Sequence, residues 1–249
     1  MTRAARIAVW LGVAAAIAAP ASQAITGWGL TASQFAGQGD STLRVAGYAF
    51  SIWGVIYAGL IAYAVRRMVQ GPGAALEAAV DLPLAAASLG CGLWIVAAGL
   101  NQMWLTVLVI AGALAAALVG LVGLRRTSRT FTWAERLTVL WPLALLAGWL
   151  SVASVVNLLT VLTAQGLIGP GSAATAAIAG IVAAGAISLA VFFATGFVSY
   201  TLPVAWGLVG AFMAERGDQP VVAYAALACA GLLLLVAIFI RPASVGRSA

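Results

Sequence analysis

Apolar residues run along this chain in blocks about one membrane thickness long, parted by short polar seams. The blocks fall near residues 7–24, 47–65, 84–101, 104–124, 137–163, 174–194, 197–214 and 221–240. About 20 apolar residues in a helix cross a hydrocarbon core of about 30 Å. Hydrocarbon offers no partner to an open backbone N–H or C=O, so the blocks predict helices. The expected fold class is all-α: a polytopic transmembrane helix bundle of about eight spans. Two seams are tight. Asn101–Gln102 divides one long apolar stretch, and Gly196 with Ser199, Tyr200 and Thr201 before Pro203 divides another. Gly71-Pro72-Gly73 reads as a turn. Gly166 to Gly171, through Pro170, closes the fifth block and is the one domain-level seam, between 1–165 and 166–249. Small residues crowd the sixth block at Ala173-Ala174-Thr175-Ala176-Ala177, where they allow close helix packing in lipid.

Composition agrees with lipid as the solvent. The 249 residues are 64% hydrophobic and 7% charged, against roughly 25% charged in a soluble domain. The net charge of +6 would suit nucleic acid if it formed one face. The arginines instead sit between the apolar blocks, so no nucleic-acid partner is expected. With the amino terminus inside, the inner segments hold Arg3, Arg6, Arg66, Arg67, Arg125, Arg126, Arg129, Arg136, Arg241 and Arg247, and the outer ones only Arg44 and Arg216. That bias predicts a multi-pass protein of the cell membrane with both termini cytoplasmic. An odd number of spans would move Arg241 and Arg247 outside. The first block has a second reading: Arg3 and Arg6, a short apolar stretch and Pro20-Ala21-Ser22-Gln23-Ala24 also fit a cleaved secretory signal, which would leave seven spans. The acids Asp40, Glu77, Asp81, Glu135, Glu215 and Asp218 all fall in the expected loops. An interior without ionisable groups argues against an ion- or proton-coupled pump.

Absences narrow the chemistry. The chain has no His, so it offers no His-ligated metal or haem and no His proton relay. All twelve basic residues are Arg and none is Lys, which excludes a Schiff base to retinal. Cys91 and Cys229 lie in separate apolar blocks and read as small buried hydrophobes. No metal and no tightly held cofactor is expected. Nine Trp remain to be explained. Trp10, Trp28 and Trp133 suit an interfacial belt. Others stand with partners. Trp53 and Tyr57, four apart, share a helix face. Asn101 and Trp104 are three apart. Trp149, Ala153 and Asn157 step by four along one stripe, and the small Ala153 leaves a gap there that a neighbouring helix or a ligand could fill. An Asn in an apolar helix either bonds another helix or lines a pocket in which rings stack on a flat ligand.

These spacings resemble the tryptophan-rich sensory protein family, also called the translocator protein or peripheral-type benzodiazepine receptor family (TspO/MBR). The matching segments are Tyr48-Ala49-Phe50-Ser51-Ile52-Trp53-Gly54-Val55-Ile56-Tyr57, then Leu100-Asn101-Gln102-Met103-Trp104, then Trp149, Ala153 and Asn157. They occur in the family's order on its second, third and fifth helices. The long variant, with Phe-Ser-Ile-Trp-Gly and extra carboxy-terminal helices, is the more similar. The chain departs from the short variant at Ser51 and Leu146, which stand for Pro and Tyr, and at Pro142, which sits farther back than the family's Pro. The resemblance implies a five-helix core over 1–165 and a carboxy-terminal transmembrane extension over 166–249. It implies a porphyrin or other tetrapyrrole, or a sterol, as ligand. Trp53, Tyr57, Asn101, Trp104, Trp149 and Asn157 are the implied ligand-binding residues, and a homodimer the implied assembly.

The expectation is therefore a membrane sensor or translocator that binds a flat hydrophobic ligand in an aromatic-lined pocket. A secondary transporter of a small neutral or amphipathic solute is the alternative, because interrupted helices at 101–104 and 196–203 could line a substrate site. A structural subunit of a larger membrane complex is another. An enzyme that degrades tetrapyrrole is disfavoured, since only Tyr, Ser, Thr and Cys are expected inside the bundle.

Overall fold

The structure, a computed structural model, describes residues 3–69, 75–127 and 130–240, apart from the side chains of Ala75 and Glu77. The Gly71-Pro72-Gly73 turn, Arg129, Arg241 and Arg247 lie outside the described residues.

Each apolar block forms a helix. α1 (Arg3–Thr26), α3 (Ile52–Val69), α4 (Ala75–Gly99), α5 (Met103–Arg126), α7 (Trp141–Ala164), α8 (Ala173–Thr195), α9 (Val198–Glu215) and α10 (Pro220–Phe239) are the long ones. Two short helices, α2 (Ala32–Gly37) and α6 (Trp133–Glu135), lie in the connections. A 3₁₀ turn (Gly47–Ser51) leads into α3, and a π turn (Arg136–Leu140) joins α6 to α7. Seven of these segments are long and apolar enough to cross a membrane. The eighth, α9, is 18 residues long and is diluted by Ser199, Tyr200, Thr201 and Glu215. At 1.5 Å per residue it still reaches about 27 Å, and its two ends show that it traverses the bundle. Phe197 at its start packs on Phe131, at the end of the bundle where Arg66 donates to Thr138. Glu215 at its finish meets Arg44, at the opposite end where Gln38 meets Asn101 and Thr42 meets Thr163. The described residues thus make eight traverses of the bundle, and both of their ends lie on the Arg66 side. Arg3, Arg6, Arg66, Arg67, Arg125, Arg126 and Arg136 lie toward that side, Arg44 and Arg216 toward the other.

Glycine sets the closest helix pairs. A Cβ at Gly12 would lie 2.5 Å from the Ala85 carbonyl oxygen, and one at Gly92 would lie 2.6 Å from that of Ala15, so α1 and α4 touch backbone to backbone. The first block is thereby a packed member of the bundle. The seam at 165–172 turns at Gly166, with φ +71°, but it does not separate the packing: α9 lies against α7 and α10.

The acids do not all lie in loops. Glu77 and Asp81 are inside α4, Glu135 caps the first turn of α6 through Thr132, and Glu215 is the last residue of α9. Asp81 is fully buried and holds the equally buried Arg67 of α3 in a two-pronged ion pair, at 2.8 Å to Nε and 2.9 Å to Nη2. Tyr63 Oη donates to the same carboxylate at 2.5 Å. The helix outruns the apolar block because this pair satisfies its charges within the protein, so a polar residue did not mark the helix end.

Candidate functional site

α3, α4, α5, α7 and α9 surround a cavity in the half of the bundle near Arg44, and α2 covers it. Its atom-free space, counted together with its opening to solvent, is about 820 Å³. Trp53 and Tyr57 stack at 5.3 Å and 28° on the α3 wall. Trp149 of α7 meets Trp53 edge-on at 6.4 Å and Phe50 at 6.1 Å. Ala153, one turn on, leaves the space that these rings border. Such rings offer flat, apolar faces with few rotatable bonds, the surface on which a planar ligand stacks.

Asn157 closes the same stripe, and both readings of it meet here. It lines the cavity, yet its Nδ2 donates to Thr106 Oγ1 at 3.0 Å and its Oδ1 accepts from Trp94 Nε1 at 3.1 Å. It ties α4, α5 and α7 together and so fixes the positions of two pocket walls. Asn101 and Trp104 stand elsewhere. Asn101 has φ +54° in the α4–α5 turn and accepts from Gln38 at 3.1 Å, while Trp104 is half exposed on α5. Neither lines the cavity. The left-handed residue ends α4, so the three-residue spacing does not put the two on one face. The other interrupted junction, Gly196–Phe197, lies at the far end of the bundle, so neither break lines the cavity.

Sequence reasoning missed Phe35 and Trp94. They meet edge-on at 5.8 Å, Phe35 on the inner side of the cover and Trp94 on the α4 wall beneath it. Trp94 carried no local signal, since its partner Asn157 is 63 residues away. The cover did carry one: Thr31 and Gln34 cap α2 reciprocally, an S/T-x-x-E/Q signature legible in the sequence. Cys91 is a buried hydrophobe, as expected, and also lines the cavity. Among the described residues no group of His, Cys, Asp and Glu could hold a metal, and the cavity wall carries no ionisable Asp, Glu or Arg.

The segment that follows the cover is latched to the end of α9 and the residues after it. Arg44 donates to the buried Glu215 at 3.1 Å, to the Ala214 carbonyl at 3.0 Å and to Asp218 at 2.5 Å, and its backbone N–H also donates to Glu215. Its hydrogen bonds to the Glu215 carboxylate, and then to that of Asp218, hold the guanidinium firmly protonated. Burial raises the nearby Asp40 carboxyl above its ordinary range; Arg44 opposes the rise and Glu215 adds to it. Arg44→Gln should loosen the cover by about 1–3 kcal/mol, the worth of hydrogen bonds to a charged group. Hydrogen exchange of the Ala32–Gly37 amides should then speed up while α4 and α5 keep their protection. A uniform change along the chain would show that Arg44 supports the whole bundle and not the cover.

A family model described as TSPO-like protein matches residues 6–239. The match extends past the 165–166 seam and takes in α8, α9 and α10. No curated protein and no solved structure matches the chain. Match and helices together define a multi-pass membrane protein of the sensor or translocator kind, which lives in a lipid bilayer. The chain belongs to the TSPO-like protein family.

Proposed function

We propose that this protein binds a flat hydrophobic ligand, tetrapyrrole- or sterol-like, between the rings of Trp53, Tyr57 and Trp149, as a sensor or translocator and not as an enzyme. The observation that carries this reading is the ring cluster bordering one covered cavity whose wall bears no charge. Such a cavity stacks on an apolar body and supplies neither an acid–base pair nor a metal for chemistry. The ligand is exchanged and not resident, so no cofactor is needed. The arginine bias supports a cell-membrane protein with both termini cytoplasmic, and the family resemblance supports a homodimer.

Protoporphyrin titrated into the purified protein should quench Trp fluorescence saturably. Trp53→Phe and Trp149→Phe should each weaken the fitted Kd about three- to tenfold, as expected for trimming one aromatic contact. The Kd is the proper readout, because either substitution also removes a fluorophore. Quenching that never saturates, or a Kd indifferent to both substitutions, overturns the reading.

A further inference from the structure

Trp149 is the only buried tryptophan among the described residues, and its indole N–H donates to no acceptor among them. A buried indole N–H ordinarily finds one. Three other tryptophans do: Trp28 donates to Ser22 Oγ at 3.1 Å, Trp94 to Asn157 Oδ1 at 3.1 Å and Trp206 to the Ala49 carbonyl at 2.9 Å. Nor is the Trp149 N–H sealed among apolar atoms, as the unpartnered hydroxyls of Ser88, Ser154 and Ser188 are. The Cζ3 edge of its ring faces Gly207 on α9, 3.6 Å from where a Cβ would lie, and Nε1 is on the opposite edge of the indole. Trp149 lines the aromatic cavity, so its N–H is open to what the cavity holds. Trp53, Tyr57 and Thr160 also line the cavity, and their side chains also make no hydrogen bond among the described residues. All four groups are neutral, and no Asp, Glu or Arg stands with them on the wall.

We propose that the preferred ligand is an uncharged planar molecule that presents a hydrogen-bond acceptor, a carbonyl or an equivalent neutral group, to Trp149 Nε1. The inference rests on the ligand-binding reading above and narrows the chemical class of the ligand. An indole N–H is a donor only, so the group that satisfies it must be an acceptor. The hydroxyls of Tyr57 and Thr160 can turn to give or to take a hydrogen bond, so they suit neutral groups of either kind. A carboxylate would enter a wall without a countercharge, and the cost of its desolvation would go uncompensated. The amide of Asn157 is already tied to Thr106 and Trp94, so the free donor on the α7 stripe is Trp149. Trp149 then serves recognition twice. Its ring supplies apolar area, and its N–H fixes the orientation of the bound molecule, as a few placed polar groups do in an apolar pocket.

The test uses three probes of nearly equal shape: 9-methylanthracene, 9-anthraldehyde and anthracene-9-carboxylate. Each is titrated at neutral pH into the full chain in lipid nanodiscs and followed by saturable energy transfer from Trp. Partition into protein-free nanodiscs gives the concentration of each probe in the bilayer, to which its Kd is referred. The aldehyde should bind about three- to tenfold more tightly than the methyl compound, the worth of one neutral hydrogen bond. The carboxylate should bind roughly tenfold or more weakly than the aldehyde, since its charge finds no partner. Trp149→Phe keeps a ring and removes the N–H, so it should weaken both neutral probes but the aldehyde more, bringing their Kd values level. If the unmodified protein binds none of the three and does not bind protoporphyrin, the ligand-binding reading falls and this one with it. Saturable protoporphyrin binding without aldehyde binding overturns this inference alone. So does an aldehyde preference that is absent or survives Trp149→Phe, or a carboxylate that binds as tightly as the aldehyde.

Discussion

Asp81→Ala should cost about 3–5 kcal/mol of stability, the usual loss when one partner of a buried ion pair is removed. The carboxylate sits at zero exposure between Arg67 and Tyr63, so no water replaces it. The substitution strips Arg67 of its two-pronged partner inside the bundle and leaves Tyr63 Oη without this acceptor. Replacing both charges is expected to be far milder. Arg67→Met with Asp81→Leu substitutes apolar bulk for the pair and removes the desolvation cost of both ions together. Unfolding in mild detergent, followed by circular dichroism, would read both variants. A double variant as unstable as the sum of the singles would show that the residues do not act as a pair. The site should register the single loss as well. Arg67 holds the last turn of α3 to α4, and α3 carries Trp53 and Tyr57, so ligand affinity should fall with the clamp.

That same pair shows where the sequence could be read and where it could not. The eight traverses were legible because lipid imposes one rule on every backbone group, and block length alone follows from it. The stripe of Trp149, Ala153 and Asn157, and the Trp53–Tyr57 stack, were legible because helical spacing puts residues four apart on one face. Asp81 was misread as a loop residue because hydropathy scores each residue against lipid, whereas its partner Arg67 lies on another helix, 14 residues earlier. Asn101 and Trp104 were named for the site by the family match at Leu100-Asn101-Gln102-Met103-Trp104; Asn101 in its left-handed conformation ends α4, and both stand outside the cavity. Trp94 and Phe35 were invisible for the opposite reason. Their roles depend on contacts between elements far apart in sequence, which no local pattern encodes. The latch from Arg44 to Glu215, 171 residues apart, belongs with them.

Gly148→Val should cost about 3 kcal/mol, the upper part of the range for overpacking a core, and should also disturb ligand binding. A Cβ at this position of α7 would lie 2.2 Å from the Tyr200 carbonyl oxygen and 3.3 Å from Pro203 Cδ. The obstacle is backbone and a ring on α9, not the far end of a flexible side chain, so relief requires the two helices to part. Separation would strain the hydrogen bond between Ser151 and Tyr200, which spans the same interface at 2.6 Å. It would also widen the gap between Trp149, the next residue, and Gly207, which line the same cavity from α7 and α9. Gly112→Ala is the matched control. Nothing lies within 4 Å of a Cβ there, so only helix propensity changes, in favour of alanine by about 1 kcal/mol or less. Glycine at 148 is thus required by an approach of backbones, whereas glycine at 112 is not. Measured together, the two variants should separate in thermal stability and in protoporphyrin Kd. If Gly148→Val bound protoporphyrin as tightly as the unmodified protein while losing stability, α9 would brace the bundle without shaping the site.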